Sequence, residues 1–98
     1  MKKFLLITGI FLFITAIAQS IEENIGKGNN YYSVGQFDLA EKFYKDALKK
    51  DPENKIAQHN LANALYRQKK YKEAAEVLDA IVKSSATNKK NSGHASHK

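Results

Sequence analysis

Histidines, carboxylates and serines are the residue types here that could bind a metal or start nucleophilic chemistry, because the 98-residue chain has no cysteine. That absence also excludes a disulfide framework, a thiolate metal site and a lipid-modified N-terminal cysteine. His94 and His97 have a spacing that lets two imidazoles share a metal on one helix face, and His59 is the only other histidine. Two exposed ligands in a Ser/Asn/Lys/Gly stretch with no apolar anchor are too few, so they read as solvated imidazoles. The carboxylates alternate with lysines, as in Glu41/Lys45 and Asp46/Lys50, the i,i+4 pairing of a solvated helix face. No nucleophile stands beside a base, and there is no phosphate-cradling loop and no carboxylate isolated among apolar neighbours. The expectation is a protein that is not an enzyme and uses no metal or cofactor.

The formal net charge of +6 is unevenly spread. Between Gln19 and Val82 ten Lys or Arg residues balance ten Asp or Glu residues. The excess lies in Lys2 and Lys3 at the start and in Lys83, Lys89, Lys90 and Lys98 at the end, where no acidic residue follows. Nucleic-acid binding calls for a basic stripe on a folded face with aromatics to stack bases, and the neutral middle offers none.

Met1-Lys2-Lys3 is a positive start, Phe4 to Ala18 is uncharged and apolar, and Ala16-Ile17-Ala18 precedes Gln19. That order is the pattern of a secretory signal peptide cut after Ala18. Fifteen helical residues span roughly 22 Å, short of the ~30 Å hydrocarbon core, and Glu22 and Glu23 follow almost at once. The leader therefore reads as cleaved, giving a periplasmic or secreted protein. The alternative is an inner-membrane anchor formed by residues 4–18.

Beyond Gln19 the chain matches itself at an offset of 34 residues. Asn29 repeats as Asn63, Tyr32 as Tyr66, Phe37 as Tyr71, Ala40 as Ala74 and Lys49 as Lys83, while Gly28/Ala62, Tyr31/Leu65, Tyr44/Leu78, Ala47/Ile81 and Leu48/Val82 agree in size or polarity. Helix formers dominate each unit, so the fold class is all-α. Ser20-Ile21-Glu22-Glu23 is a capping box, predicting a helix to about Val34 that Gly35-Gln36 ends. Asp38 is the expected cap of a second helix to about Lys50, with Phe37, Ala40, Tyr44, Ala47 and Leu48 on one stripe. Asp51-Pro52-Glu53-Asn54 is a turn, because Pro52 cannot continue the helix. A third helix is predicted over about Lys55–Gln68, with Ile56, Leu61, Ala62 and Leu65 apolar, and a fourth over about Lys72–Lys83, with Ala74, Ala75, Leu78, Ile81 and Val82. Gly28, Ala40, Ala62 and Ala74 allow close helix contact, and Tyr31, Phe37, Tyr44 and Tyr71 are expected to fill the space between helices.

Gly28-Asn29-Asn30-Tyr31, then Ala40-Glu41-Lys42-Phe43-Tyr44, then Pro52, resemble the 34-residue unit of the tetratricopeptide-repeat family, with its Gly-x2-Tyr pair, Ala-x3-Phe pair and closing Pro. Asn24 and Lys27 stand at the family's early Trp and Leu, as suits a first repeat with no neighbour on that side. The second unit keeps Leu61 and replaces the small residue, aromatic and proline by Ala62, Leu65 and Ala86. The resemblance implies a tandem helix-turn-helix α-solenoid of about two repeats: a leader over 1–18, repeats over 19–54 and 55–84, and a disordered basic tail, or the start of a third repeat, over 85–98.

In that family the first helix of each repeat lines a concave groove for a peptide or partner helix. The matching polar and aromatic positions are Asn29, Tyr32 and Ser33 in the first repeat and His59, Asn60, Asn63, Tyr66 and Arg67 in the second. An asparagine amide offers donors and an acceptor, enough to grip a peptide backbone, and Arg67 suits a carboxylate. Members that clamp a chaperone's acidic C-terminus carry a lysine one turn before the first asparagine; Ile25 stands there, so that clamp is not expected. The leader, the Gly-Asn-x-x-Tyr opening and Asn60 to Tyr66 also resemble exported members of the bacterial aerotolerance (Bat) group, which accompany von Willebrand-type membrane proteins. The implied function is an exported, non-enzymatic adaptor or scaffold. A membrane-anchored scaffold and a secreted, basic-tailed binder of acidic polymers or nucleic acid are the alternatives.

Repeats of this kind bury each unit on the next, and roughly three or a capping helix are usual. Ser84 to Lys98 contains no apolar residue larger than Ala. Ala95-Ser96-His97 echoes Ala57-Gln58-His59, as if a third repeat began there. Ala75, Leu78 and Val82 are thus expected to be partly uncovered, with self-association as the consequence.

Overall fold

The computed structural model describes the backbone of residues 2–93 and the side chains of residues 16–86. Four helices follow one another: α1 (Lys2–Ser33), α2 (Phe37–Lys50), α3 (Lys55–Arg67) and α4 (Tyr71–Gly93), with no strand among the described residues. Each helix packs on the next, and α1 also touches α3. Contacts at both ends fix the first pair as antiparallel: Tyr32 meets Phe37 beside the connecting turn, and Lys50 Nζ donates to Ser20 Oγ at the far end. The second pair repeats this, with Tyr66 against Tyr71 and Lys55 Nζ donating to Ser84 Oγ at 3.1 Å. The all-helical expectation holds.

The two hairpin turns are the same device 34 residues apart. At the end of α1, Gly35 takes φ +81°, Gln36 N–H donates to Tyr31 C=O at 2.9 Å and Gly35 N–H donates to Tyr32 C=O at 3.1 Å. At the end of α3, Lys69 takes φ 65°, Lys70 N–H donates to Leu65 C=O and Lys69 N–H to Tyr66 C=O, both at 2.9 Å. This Schellman geometry satisfies the orphan carbonyls of the helix end and reverses the chain within three residues. The turn between repeats is different. Asn54 caps α3 by accepting from Ala57 N–H at 3.0 Å, and Gln58 Nε2 donates to Pro52 C=O at 2.8 Å.

Small residues set the packing distance. Ala40, Ala47, Ala57, Ala62, Ala64 and Ala74 are buried, and with Tyr44, Leu61 and Leu65 they make the centre of the core. Tyr44 lies directly over Gly28: a Cβ there would meet its ring carbons at 2.5 and 2.7 Å, so only glycine lets the ring reach that depth.

Several local expectations are corrected. Ser20 is inside α1 rather than at its start, because the helix continues from the leader, and its hydroxyl serves Lys50 instead of a cap. Asp38 sits in the first turn of α2, whose N-cap is Gln36 without a side-chain cap bond. Ile56 is exposed, since it points away from the stripe carrying Ala57, Leu61, Ala64 and Leu65. Tyr71 is exposed rather than interhelical, for nothing packs over the second hairpin as α3 packs over the first. Asp46 pairs with Lys42 and Lys49 rather than Lys50, whereas the Glu41/Lys45 pair forms as expected. Finally, α4 runs ten residues past Lys83, to Gly93, so residues 85–93 are helical where a disordered tail was expected. His94, His97 and the Ala95-Ser96-His97 echo lie outside the described residues.

Candidate partner-binding cleft

The parallel contact between α1 and α3 creates the site. Both are first helices of their hairpins, and their facing residues line a cleft of about 200 Å³ formed by Asn29, Tyr32, Tyr44, Asn60 and Asn63. Asn29 stands at its centre. Its Oδ1 accepts from the Tyr44 hydroxyl at 2.6 Å and from Asn60 Nδ2 at 3.0 Å. The Tyr44 ring is 1 % exposed, and burial, then the neighbouring Tyr32, push the hydroxyl's pKa above 10.0, so it stays a protonated donor at neutral pH. Asn63 is exposed, and no described residue hydrogen-bonds its amide.

Of the eight residues expected in a groove, four meet here: Asn29, Tyr32, Asn60 and Asn63. The others have different employment. Ser33 Oγ donates back to Asn30 C=O within its own helix at 2.7 Å. Tyr66 lies edge-on to Tyr71, with ring centroids 5.1 Å apart, and Arg67 covers the Phe37 ring at 4.9 Å. His59 is exposed on α3 and does not line the cleft. Tyr44 was missed as a site residue, since its place on the apolar stripe of α2 marks it as core. The hydroxyl distinguishes it from Phe or Leu at such a position and was the available signal.

On the other side of the repeat boundary Glu41 gathers charge. This buried carboxylate receives Lys45 Nζ at 2.5 Å, Gln68 Nε2 at 2.8 Å and Lys70 Nζ at 3.1 Å. Burial raises its pKa, but the donors from Lys45, Gln68 and Lys70 outweigh that and bring it from 4.5 to about 2. Gln68 Nε2 also contacts the carbonyls of Phe37 and Ala64, tying the start of α2 to the end of α3. This cluster is a repeat-to-repeat clamp built from one residue of α2 and the turn after α3. Among the described residues no group of His, Cys, Asp and Glu could hold a metal ion.

Stacked antiparallel hairpins of equal length, closed by equivalent turns and sharing one face of first helices, define a helical-repeat scaffold. The chain belongs to the tetratricopeptide repeat family, whose profile matches residues 25–89. It is 32 % identical over 62 residues to stress-induced-phosphoprotein 1 of Caenorhabditis elegans, covering 63 % of this chain and 19 % of that protein. Over 79 residues it is 35 % identical to a tetratricopeptide-repeat-containing protein of Methanocaldococcus jannaschii, covering 81 % of this chain and 14 % of the relative. It also shares 44 % identity over 45 residues with RNA polymerase II-associated protein 3 of Xenopus tropicalis, 46 % of this chain and 7 % of that protein. The chain thus spans less than a fifth of the length of each of these relatives. No solved structure matches it significantly. Tetratricopeptide repeats mediate protein–protein interaction, and proteins built from them bind protein partners.

Proposed function

We propose that this protein is an exported adaptor or scaffold that holds an extended peptide segment of a partner in the cleft of Asn29, Asn60 and Asn63. The observation that carries this reading is the convergence of three amides from two successive first helices on one open cleft. Side-chain amides pair with peptide groups without reading side chains, which suits a binder of extended main chain. The resemblance to exported Bat-group proteins points to a partner in a membrane-associated complex. Replacing Asn63 and Tyr66 together by Ala is expected to weaken a peptide selected on the wild-type chain at least tenfold, with the helical circular-dichroism signal retained; unchanged affinity would move the site elsewhere.

Export rests on the leader. Ala16 to Gln19 are exposed, and the first described tertiary tie of α1 is Ser20 to Lys50. A cut after Ala18 therefore leaves the repeat contacts intact. No helix is long and apolar enough to cross a membrane among the described residues. Mass spectrometry of the protein recovered from expressing bacteria is expected to show an N-terminus at Gln19; a retained Met1 would favour the anchored form.

Self-association is a second reading, favoured by the exposure of Leu78 and Val82, 45 % and 63 %, where their counterparts Tyr44 and Leu48 are covered. Head-to-tail stacking is disfavoured. Glu23, Lys27 and Asn30 stand on α1 where Ala57, Leu61 and Ala64 stand on α3, so the face α1 would present to a preceding repeat is polar and exposed.

A further inference from the structure

The two repeats carry the same asparagine, at 29 and 63, in different surroundings. At Asn29 both lone pairs of Oδ1 are occupied, one by the Tyr44 hydroxyl and one by the Asn60 amide. What the side chain has left is Nδ2 with its two N–H donors, and Asn29 is exposed. Turning its amide over would set its NH2 against the NH2 of Asn60. Nor can the hydroxyl swing away, because the Tyr44 ring is buried beneath Gly28 with no space for a second position. In the second repeat Leu78 replaces Tyr44, and among the described residues nothing fixes the Asn63 amide. Asn63 is free to present either end.

We infer that Tyr44 is the positioning residue of the cleft: its buried hydroxyl, with Asn60, locks Asn29 so that the first repeat offers only donors and takes an oxygen acceptor at that point. The acceptor is a main-chain carbonyl or a terminal carboxylate of the bound peptide. This rests on the reading of the cleft as the peptide site. It makes the cleft unequal along its length, with a fixed polarity at Asn29 and an adaptable one at Asn63. A ligand that must present an N–H at Asn29 is refused, since two donors would face each other there.

The probe for the test is a fluorescein-labelled decapeptide selected by display on the full chain, kept for use if Asn63→Ala weakens it, and made both as free acid and as C-terminal amide. Tyr44→Phe is expected to weaken binding about tenfold, the effect of one orienting hydrogen bond. The double variant Tyr44→Phe with Asn29→Ala should bind no worse than Asn29→Ala alone, because the hydroxyl acts only through that amide. Asn29→Asp leaves Tyr44 untouched, keeps an acceptor for its hydroxyl and replaces the free donors by oxygen; it should weaken binding more than tenfold whatever Tyr44→Phe does to folding. Loss on C-terminal amidation assigns the acceptor to a carboxylate, and retention assigns it to a main-chain carbonyl. Wild-type affinity in Tyr44→Phe or Asn29→Asp, or additive losses in the double variant, would overturn the inference while the Asn63 response keeps the cleft reading. Failure of every selected peptide to respond to Asn63→Ala overturns both.

Discussion

Gly35 and Lys69 occupy the same position of the repeat and take the same left-handed backbone, φ +81° and 65°. For glycine this costs nothing sterically, whereas a side chain there costs about 1 kcal/mol. The Lys69 side chain forms no hydrogen bond or ion pair among the described residues, so its removal forfeits no contact. Lys69→Gly is therefore expected to stabilise the fold by about 0.5–1 kcal/mol after the entropy of the unfolded glycine is allowed for. Urea denaturation checks it, and a lower midpoint would mean that the lysine contributes through solvent-mediated charge. The signal for the first turn was plain in Gly35. The second was hidden, because lysine is no turn signal and only the 34-residue equivalence reveals what it must do.

At the scale of the elements, one carboxylate decides how α2 is joined to the turn after α3. The Glu41/Lys45 pair was legible at i,i+4 spacing, but Gln68 and Lys70 lie 27 and 29 residues away in sequence, and no local rule connects them to Glu41. Since the folded pKa of about 2 lies below the ordinary 4.5, the ionised carboxylate favours the folded chain. Its contribution is complete above about pH 4.5, shrinks as the pH falls and is gone below about pH 2. Glu41→Gln should cost about 2 kcal/mol at pH 7, the scale of hydrogen bonds to a charged group. It should also flatten the fall in melting temperature between pH 5 and pH 2; equal slopes in variant and wild type would show that other carboxylates carry the acid sensitivity. The helix ends show a parallel limit of local reading. Asp38 and Ser20 are good caps by residue type, yet the Schellman turn placed the start of α2 at Phe37 and the leader extended α1 through Ser20.

Across the whole molecule the repeats are alike in sequence and unlike in burial. Tyr44, Phe37 and Leu48 are covered by the following hairpin, while Leu78, Tyr71 and Val82 have nothing beyond them. The polar front of α1 and the apolar back of α4 make the array one-sided, so added structure is accommodated at the α4 end. If that face meets a second copy, Leu78→Lys with Val82→Lys should shift the chain to monomer, as read by sedimentation at concentrations where the wild type associates. A monomeric wild type at all concentrations would remove this reading.

Residue types and their period determined the helical class, the 34-residue unit, the glycine turn after α1, the small residues of the core and the uncovered end. These depend on local propensity and on a repeat that can be compared with itself. Tertiary structure alone decided which polar residues share a site. The parallel approach of α1 and α3 joined Asn29 to Asn60, 31 residues apart, and dropped Ser33, His59, Tyr66 and Arg67 from the cleft. It also turned a tyrosine from the apolar stripe of α2 into the group that orients Asn29. Such assignments depend on the rotation of each helix about its axis, which is fixed by packing against neighbours and leaves no mark in the sequence of any one helix.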